Sequence, residues 1–504
     1  MYFRIKRKFI LLTIVCIILG LSMVGAKLNV IETMTVMLQK EELLEIEDIT
    51  TYRVDVNFDP VEKILTAKEK ITYKNKRDTA FNALYFHLYP NAFKTEETVP
   101  FEKREMELAY PKGFEPGYIQ IDNVKNNEEN LNYVTMGVGE SILKVNLNKP
   151  LEIGEKITLE INFTVKIPPS TGRFGYGTNT INIANWYPIL SVFDGEKWNL
   201  EPYYAIGDPF YSDMGDYRVV LAMPKEYVLA STGKLIKKES IDGKVYWTLE
   251  ADAVRDFAMI VSDQFKVLED EINDIKINCY YFEDPLADLA LQTAKDSIQI
   301  FSEIFGKYPY PQFSVAASDF FIGGMEYPNL VFIDTSLYKE EHKEILEYII
   351  AHETAHQWWY GIVGNDEIRE PWLDEALTEY STLLYYEKKY GEEKRRQVFK
   401  EMIVRYYEAY RAMQDNENEV IYRSIKEFKD AQEYQALVYH KGAMFIDDLR
   451  KQLGDELFFQ TMKVYFDKYK YKNANTEDFI KVCEQVSNKS LRGNFRKWLK
   501  YEKE

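Results

Sequence analysis

His352-Glu353-Thr354-Ala355-His356 is followed, nineteen positions after His356, by Glu375 within Trp372-Leu373-Asp374-Glu375-Ala376. Histidines four apart stand on one face of a helix, one turn above the other. Two imidazoles so placed reach one metal ion, and a carboxylate from a second helix supplies a third ligand. Three protein ligands with an open fourth position describe a catalytic zinc site rather than a structural one. Glu353 follows the first ligand and reaches the open side, where it is the natural general base for a water and then the acid for a leaving amine. With only five histidines in the chain, this spacing is a poor candidate for accident. Paired imidazoles also favour zinc over calcium or another hard cation. The metal expected is one Zn(2+) per chain.

A chain of 504 residues exceeds what one core supports and implies two or three domains. Its net charge of −18 speaks against nucleic acid, which needs a basic surface. Cys16, Cys279 and Cys483 are too few for a disulfide framework or a cysteine-rich zinc site. Arg4, Lys6, Arg7 and Lys8 precede an apolar run from Phe9 to about Ala26. That is an uncleaved signal anchor or a signal peptide over 1–26, with the anchor favoured. The expected location is therefore the cell membrane, with a single N-terminal span and the bulk of the chain extracytoplasmic. Secretion after cleavage is the alternative.

Residues 27–48 read as a polar spacer. Tyr52, Val54, Val56 and Phe58 then alternate with polar residues, as do Ile157, Leu159, Ile161, Phe163, Val165 and Ile167. These are half-buried strands. With further strand-like runs near Val219–Ala222, Val245–Leu249 and Phe257–Val261, residues 49–268 read as a β-rich domain. The stretch 91–115, dense in charge and proline, reads as a long surface loop. Residues 269–504 form a second, mixed domain. It has a helix over Leu286–Phe305, a short β segment from Phe313 to Ile333, and helices near 340–361, 372–390, 393–411, 436–453, 456–469 and 476–499.

The metal motif and its flanks, Gln357-Trp358 and Trp372-Leu373-Asp374-Glu375, resemble those of the aminopeptidase N-type zinc peptidases, gluzincins of peptidase family M1. The resemblance runs from about residue 51 to 450. It implies a multidomain α+β fold, with an N-terminal antiparallel, saddle-like β domain followed by a thermolysin-like mixed α/β catalytic domain. It makes His352, His356 and Glu375 the zinc ligands. Gly323-Gly324-Met325-Glu326 resembles the family's exopeptidase motif: the glycines let a substrate backbone lie alongside, and Glu326 pairs with a free α-ammonium. Tyr327 stands where the family usually has asparagine. Tyr439, in Tyr439-His440-Lys441-Gly442, matches the tyrosine whose hydroxyl steadies the oxyanion, as a protonated phenol is able to.

Around this set, Glu379 lies four residues beyond Glu375 and suits a bond to the outer nitrogen of a zinc-bound histidine. Glu201 is a candidate for amine binding from the β domain, and Tyr434 for a supporting role beside Tyr439. His87 and His342 read as structural or surface residues, and Trp358, Trp359 and Tyr360 as packing for the metal helix. Only 65 residues follow Tyr439, so a short form without the large C-terminal helical domain is expected. The reading is a membrane-associated zinc aminopeptidase acting on peptides with a free N-terminus. A zinc endopeptidase with an open cleft and a catalytically silent peptide-binding protein of the same fold are the alternatives.

Overall fold

The computed structural model describes residues 48–414 and 419–501. The segments read as anchor and spacer therefore lie outside the described residues. Among the described residues no helix is long and apolar enough to cross a membrane.

An eight-stranded sheet opens the fold. Its spatial order is Lys234–Ile241, Lys244–Val254, Gly215–Pro224, Thr50–Asp59, Ile64–Lys74, Lys156–Lys166, Tyr118–Asn126 and Glu129–Asn130. The period-two alternation sets its register: Tyr52, Val54, Val56 and Phe58 are buried while Arg53, Asp55 and Asn57 face water. On the neighbouring strands Leu65, Ile71, Leu159, Ile161, Phe163 and Val165 complete the same core. Each such side chain contributes about 1.5–3 kcal/mol on burial. The sheet departs from the purely antiparallel expectation at one place, because Thr50–Asp59 pairs parallel with Gly215–Pro224. Two four-stranded sheets pack beneath it.

The stretch expected as a surface loop, 91–115, is more structured than its composition suggests. It carries helical turns at Tyr89–Phe93, Lys103–Glu105 and Met106–Ala109. Phe93, Phe101, Ala109 and Tyr110 are buried, so the aromatic residues between the charges fasten it to the core.

A five-stranded mixed sheet follows, in the order Lys266–Ile272, Ile275–Tyr281, Gln312–Ser318, Leu330–Asp334 and Gly324–Met325. Gly324–Met325 is thus an edge. The helix Ala287–Ile304 packs on this sheet. The helices Lys343–Ala355 and Trp372–Tyr390 pack against each other. Four expected helices differ in detail, among them 436–453, which is a π-helical segment, Gln435–Lys441, followed by the helix Gly442–Leu453. The one expected over 340–361 ends at Ala355. The stretch 393–411 contains a π-helical segment, Phe399–Val404. The run 476–499 is two helices, Thr476–Ser487 and Arg492–Leu499, broken where Asn488 takes the left-handed conformation that asparagine tolerates.

The β-rich part and the catalytic part are joined by buried and partly buried polar bonds. Asn179 Nδ2 donates to Asp319 Oδ1 at 2.8 Å, Ser318 Oγ to Asn182 Oδ1 at 2.9 Å, and Asn182 Nδ2 to the Asp319 carbonyl at 3.2 Å.

Candidate metal centre and substrate cleft

The helix Lys343–Ala355 presents His352 in its last turn, and His356 occupies the capping position beyond it. Glu375 sits in the first turn of Trp372–Tyr390, where the positive end of the helix dipole favours a carboxylate. Trp358 and Trp359 lock the first helix: their indole N–H groups donate to the Gly306 carbonyl at 2.8 Å and to Ser381 Oγ at 3.0 Å.

Both histidines turn their Nε2 atoms to one point. His352 Nε2 and His356 Nε2 lie 3.2 Å apart, and Glu375 Oε2 lies 3.6 and 3.2 Å from them. Zinc with bonds of about 2.0–2.1 Å in a tetrahedron has ligand atoms about 3.3 Å apart. The far nitrogens orient the rings. His356 Nδ1 lies 3.0 Å from the Trp359 carbonyl, and His352 Nδ1 lies 2.9 Å from Glu379 Oε2. With the Nδ1 atoms carrying the protons, two lone pairs and a carboxylate oxygen converge in a buried place. A divalent cation there satisfies all three, so the donor set fits zinc. Without a metal, histidines protonated at Nε2 as well hold the Glu375 carboxyl low, against the desolvation that would raise it.

Glu353 is buried with Oε2 free of hydrogen-bond partners, and burial pushes its carboxyl well above the usual range. Its side chain lies against Gly324, where a Cβ would stand 2.2 Å from Oε1. Gly323 has φ +101, a conformation that favours glycine. Met325 is buried behind the strand, with its sulfur 2.9 Å from Arg173 Nε. Glu326 is 4% exposed, and its Oε1 has no partner. Burial, with neighbouring Asp208 and Glu353, raises its pKa strongly against the pull of His356. The Tyr439 hydroxyl donates to Glu375 Oε1. Burial, then Glu375, raises its pKa, so the phenol keeps its proton.

Glu326, Glu353, His352, His356, Glu375, Glu379, Tyr434 and Tyr439 all line one cleft of about 520 Å³. Glu201 does not. Its carboxylate accepts from Tyr204 at 2.6 Å and from Lys426 at 2.7 Å. The β-rich part instead sends Asp208 into the cleft, paired with buried Arg173. No motif distinguished either residue beforehand. His440 also lines the cleft, with Nδ1 3.4 Å from Glu379; it was visible in the tyrosine segment, but without a role. Tyr327 is fully buried and packs edge-on against Phe332, outside the cleft lining. His87 is buried and stacked on Tyr89, and His342 closes a surface turn.

Residues 289–498 match the model of the peptidase family M1 domain. Aminopeptidase M1-A of Oryza sativa subsp. japonica is 24% identical over 389 residues, covering 72% of this chain and 42% of that protein. Aminopeptidase M1 of Arabidopsis thaliana is 26% identical over 300 residues, covering 56% and 34%. The chain thus spans well under half the length of these relatives. The crystal structure of the M1 zinc metallopeptidase from Deinococcus radiodurans superposes with a TM-score of 0.65 at 15% identity, covering 90% of this chain and 94% of that one. A mutant of that protein bound to a Tyr-Ser-Ala substrate gives 0.63 at 16%, with the same coverage. At such identity the likeness speaks for the fold. Residues 289–498 thus match a peptidase family M1 domain, and the chain has the multidomain α+β fold of the M1 zinc metallopeptidases.

Proposed function

We propose that this protein is a zinc-dependent aminopeptidase, holding one ion per chain on His352, His356 and Glu375. The observation that carries the exopeptidase reading is Glu326. A buried carboxylate with an unpartnered oxygen is costly unless a cation joins it. Its position just past the edge strand Gly324–Met325, in the cleft that Glu353 also lines, suits the α-ammonium of a peptide whose first peptide bond reaches the metal centre. Gly324, on an open sheet edge, lets the substrate backbone pair alongside.

When bound, zinc supplies Lewis-acid polarisation of the peptide carbonyl and acidifies the attacking water. Glu353 takes the water proton and delivers it to the leaving nitrogen as the C–N bond breaks. Tyr439 donates its hydroxyl hydrogen to the carbonyl oxygen as negative charge develops there. In the substrate-free arrangement that hydrogen goes to Glu375, so the hydroxyl exchanges one acceptor for another during the reaction. Glu379 orients His352. The N-terminal segment supports an extracytoplasmic, membrane-associated location, which membrane fractionation of the full chain tests.

The test of the activity compares a free peptide with its N-acetylated form, in the wild type and in Glu353→Gln. The free peptide is expected to lose one residue at a time and the acetylated one to resist. Glu353→Gln should keep its zinc and lose about 10²–10⁴-fold in kcat. Equal cleavage of both peptides would instead establish an endopeptidase.

A further inference from the structure

Glu375 and Glu379 stand one turn apart on one face of the helix Trp372–Tyr390. One short segment meets both. Gln435–Lys441 is π-helical, and two consecutive residues in it turn toward that helix. The Tyr439 hydroxyl donates to Glu375, and His440 Nδ1 lies 3.4 Å from Glu379 Oε1. π-helical turns are rare and gather at functional sites. A second one, Phe399–Val404, packs against this segment. Tyr406, just beyond it, lies against the His440 ring with centroids 5.6 Å apart.

Glu379 is 3% exposed and lies between two imidazoles. Its Oε2 is 2.9 Å from His352 Nδ1, and its Oε1 is 3.4 Å from His440 Nδ1. A buried carboxylate needs donors on both oxygens. His440 is able to supply one: it is 8% exposed, and its Nδ1 makes no other hydrogen bond. Tyr348, one turn before His352, also lies beside Glu379, but its hydroxyl has no hydrogen-bond partner. A carboxylate held at one oxygen pivots about its last bond. Held at both, it fixes the plane of the His352 ring and so the direction of the Nε2 lone pair.

We infer that His440 is a positioning residue for the metal centre: it steadies Glu379, which steadies His352, and so tightens the grip on the ion without touching it. The inference rests on the zinc ligands of the proposed function and adds a residue outside them. The test is equilibrium chelator competition for Zn(2+) on the full chain. His440→Asn and His440→Leu are equal in size, and both remove the ring from Tyr406, but only asparagine keeps a donor near the place of Nδ1. The leucine variant is expected to bind zinc about tenfold more weakly than wild type, and the asparagine variant within about threefold of it. In a Glu379→Gln background, His440→Leu should change zinc affinity by less than about twofold, because the group it acts through is gone. Equal affinity in wild type and the leucine variant, equal loss in both variants, or a full additional loss in the Glu379→Gln background overturns the role of His440 while leaving the metal centre intact. A zinc-free leucine variant that unfolds well below the asparagine variant makes the loss structural and overturns it too. A wild-type chain that takes up no zinc overturns both.

Discussion

Gly324 shows how closely the chemistry depends on a single missing atom. A Cβ there would lie 2.5 Å from Glu353 Cδ and 2.6 Å from its Cγ, as well as against the carboxylate. The whole side chain would have to move, whereas the backbone at Gly324 carries no positive φ to strain. Gly324→Ala should therefore fold and bind zinc normally while losing about 10²-fold in kcat, the scale of an ångström-sized misplacement of a catalytic group. Steady-state kinetics beside metal analysis checks this; loss of metal instead would mean that the glycine supports the helix rather than the base.

Among the elements, the strand Phe81–His87 carries a test of electrostatics away from the cleft. His87 is 2% exposed and stacks on Tyr89 with ring centroids 4.9 Å apart. Burial lowers its pKa to about 4, against a partly compensating hydrogen bond that the ring donates to the Asn199 backbone. In the unfolded chain the imidazole titrates near 6.5. Between these values the unfolded state binds the extra proton, so stability falls as pH drops from about 6.5 to 4, by roughly 3 kcal/mol in all. His87→Phe should flatten that part of the pH dependence. Urea unfolding of both proteins across this range measures it, and parallel curves would remove His87 as the cause.

At the scale of the whole molecule, Arg255 ties the β-rich part to the catalytic part. It is 2% exposed. It donates from Nε to the Tyr360 carbonyl at 2.6 Å, from Nη1 to the Ser212 carbonyl at 2.9 Å, and from Nη2 to the Lys472 carbonyl at 2.6 Å. Tyr360 follows the metal helix and holds an uncommon φ of +111, and Gly364 leaves room for the guanidinium. Arg255→Met keeps the bulk but strands buried carbonyls, at about 1–3 kcal/mol each. It should lower the unfolding temperature clearly and weaken zinc retention, read by calorimetry and chelator competition. A variant as stable as wild type would show that these bonds are incidental.

The convergence of His352 and His356 was legible in the chain because it depends on short-range helical spacing, as the burial of Tyr52–Phe58 depends on strand period, whereas Glu326 and Tyr439 were marked only by the resemblance of their segments to family motifs. Side-chain direction follows local backbone geometry, so such patterns carry their own placement. Asp208, Arg173 and His440 were not legible as members of the cleft. They meet only when segments far apart in sequence pack together, and no local period records that. Glu201 illustrates the same limit, since Lys426 and Tyr204, not its neighbours in sequence, decide where its carboxylate points. The spacing of residues determined which donor side chains share a helix face; the packing of distant segments decided which carboxylate meets them and the shape and charge of the cleft around them.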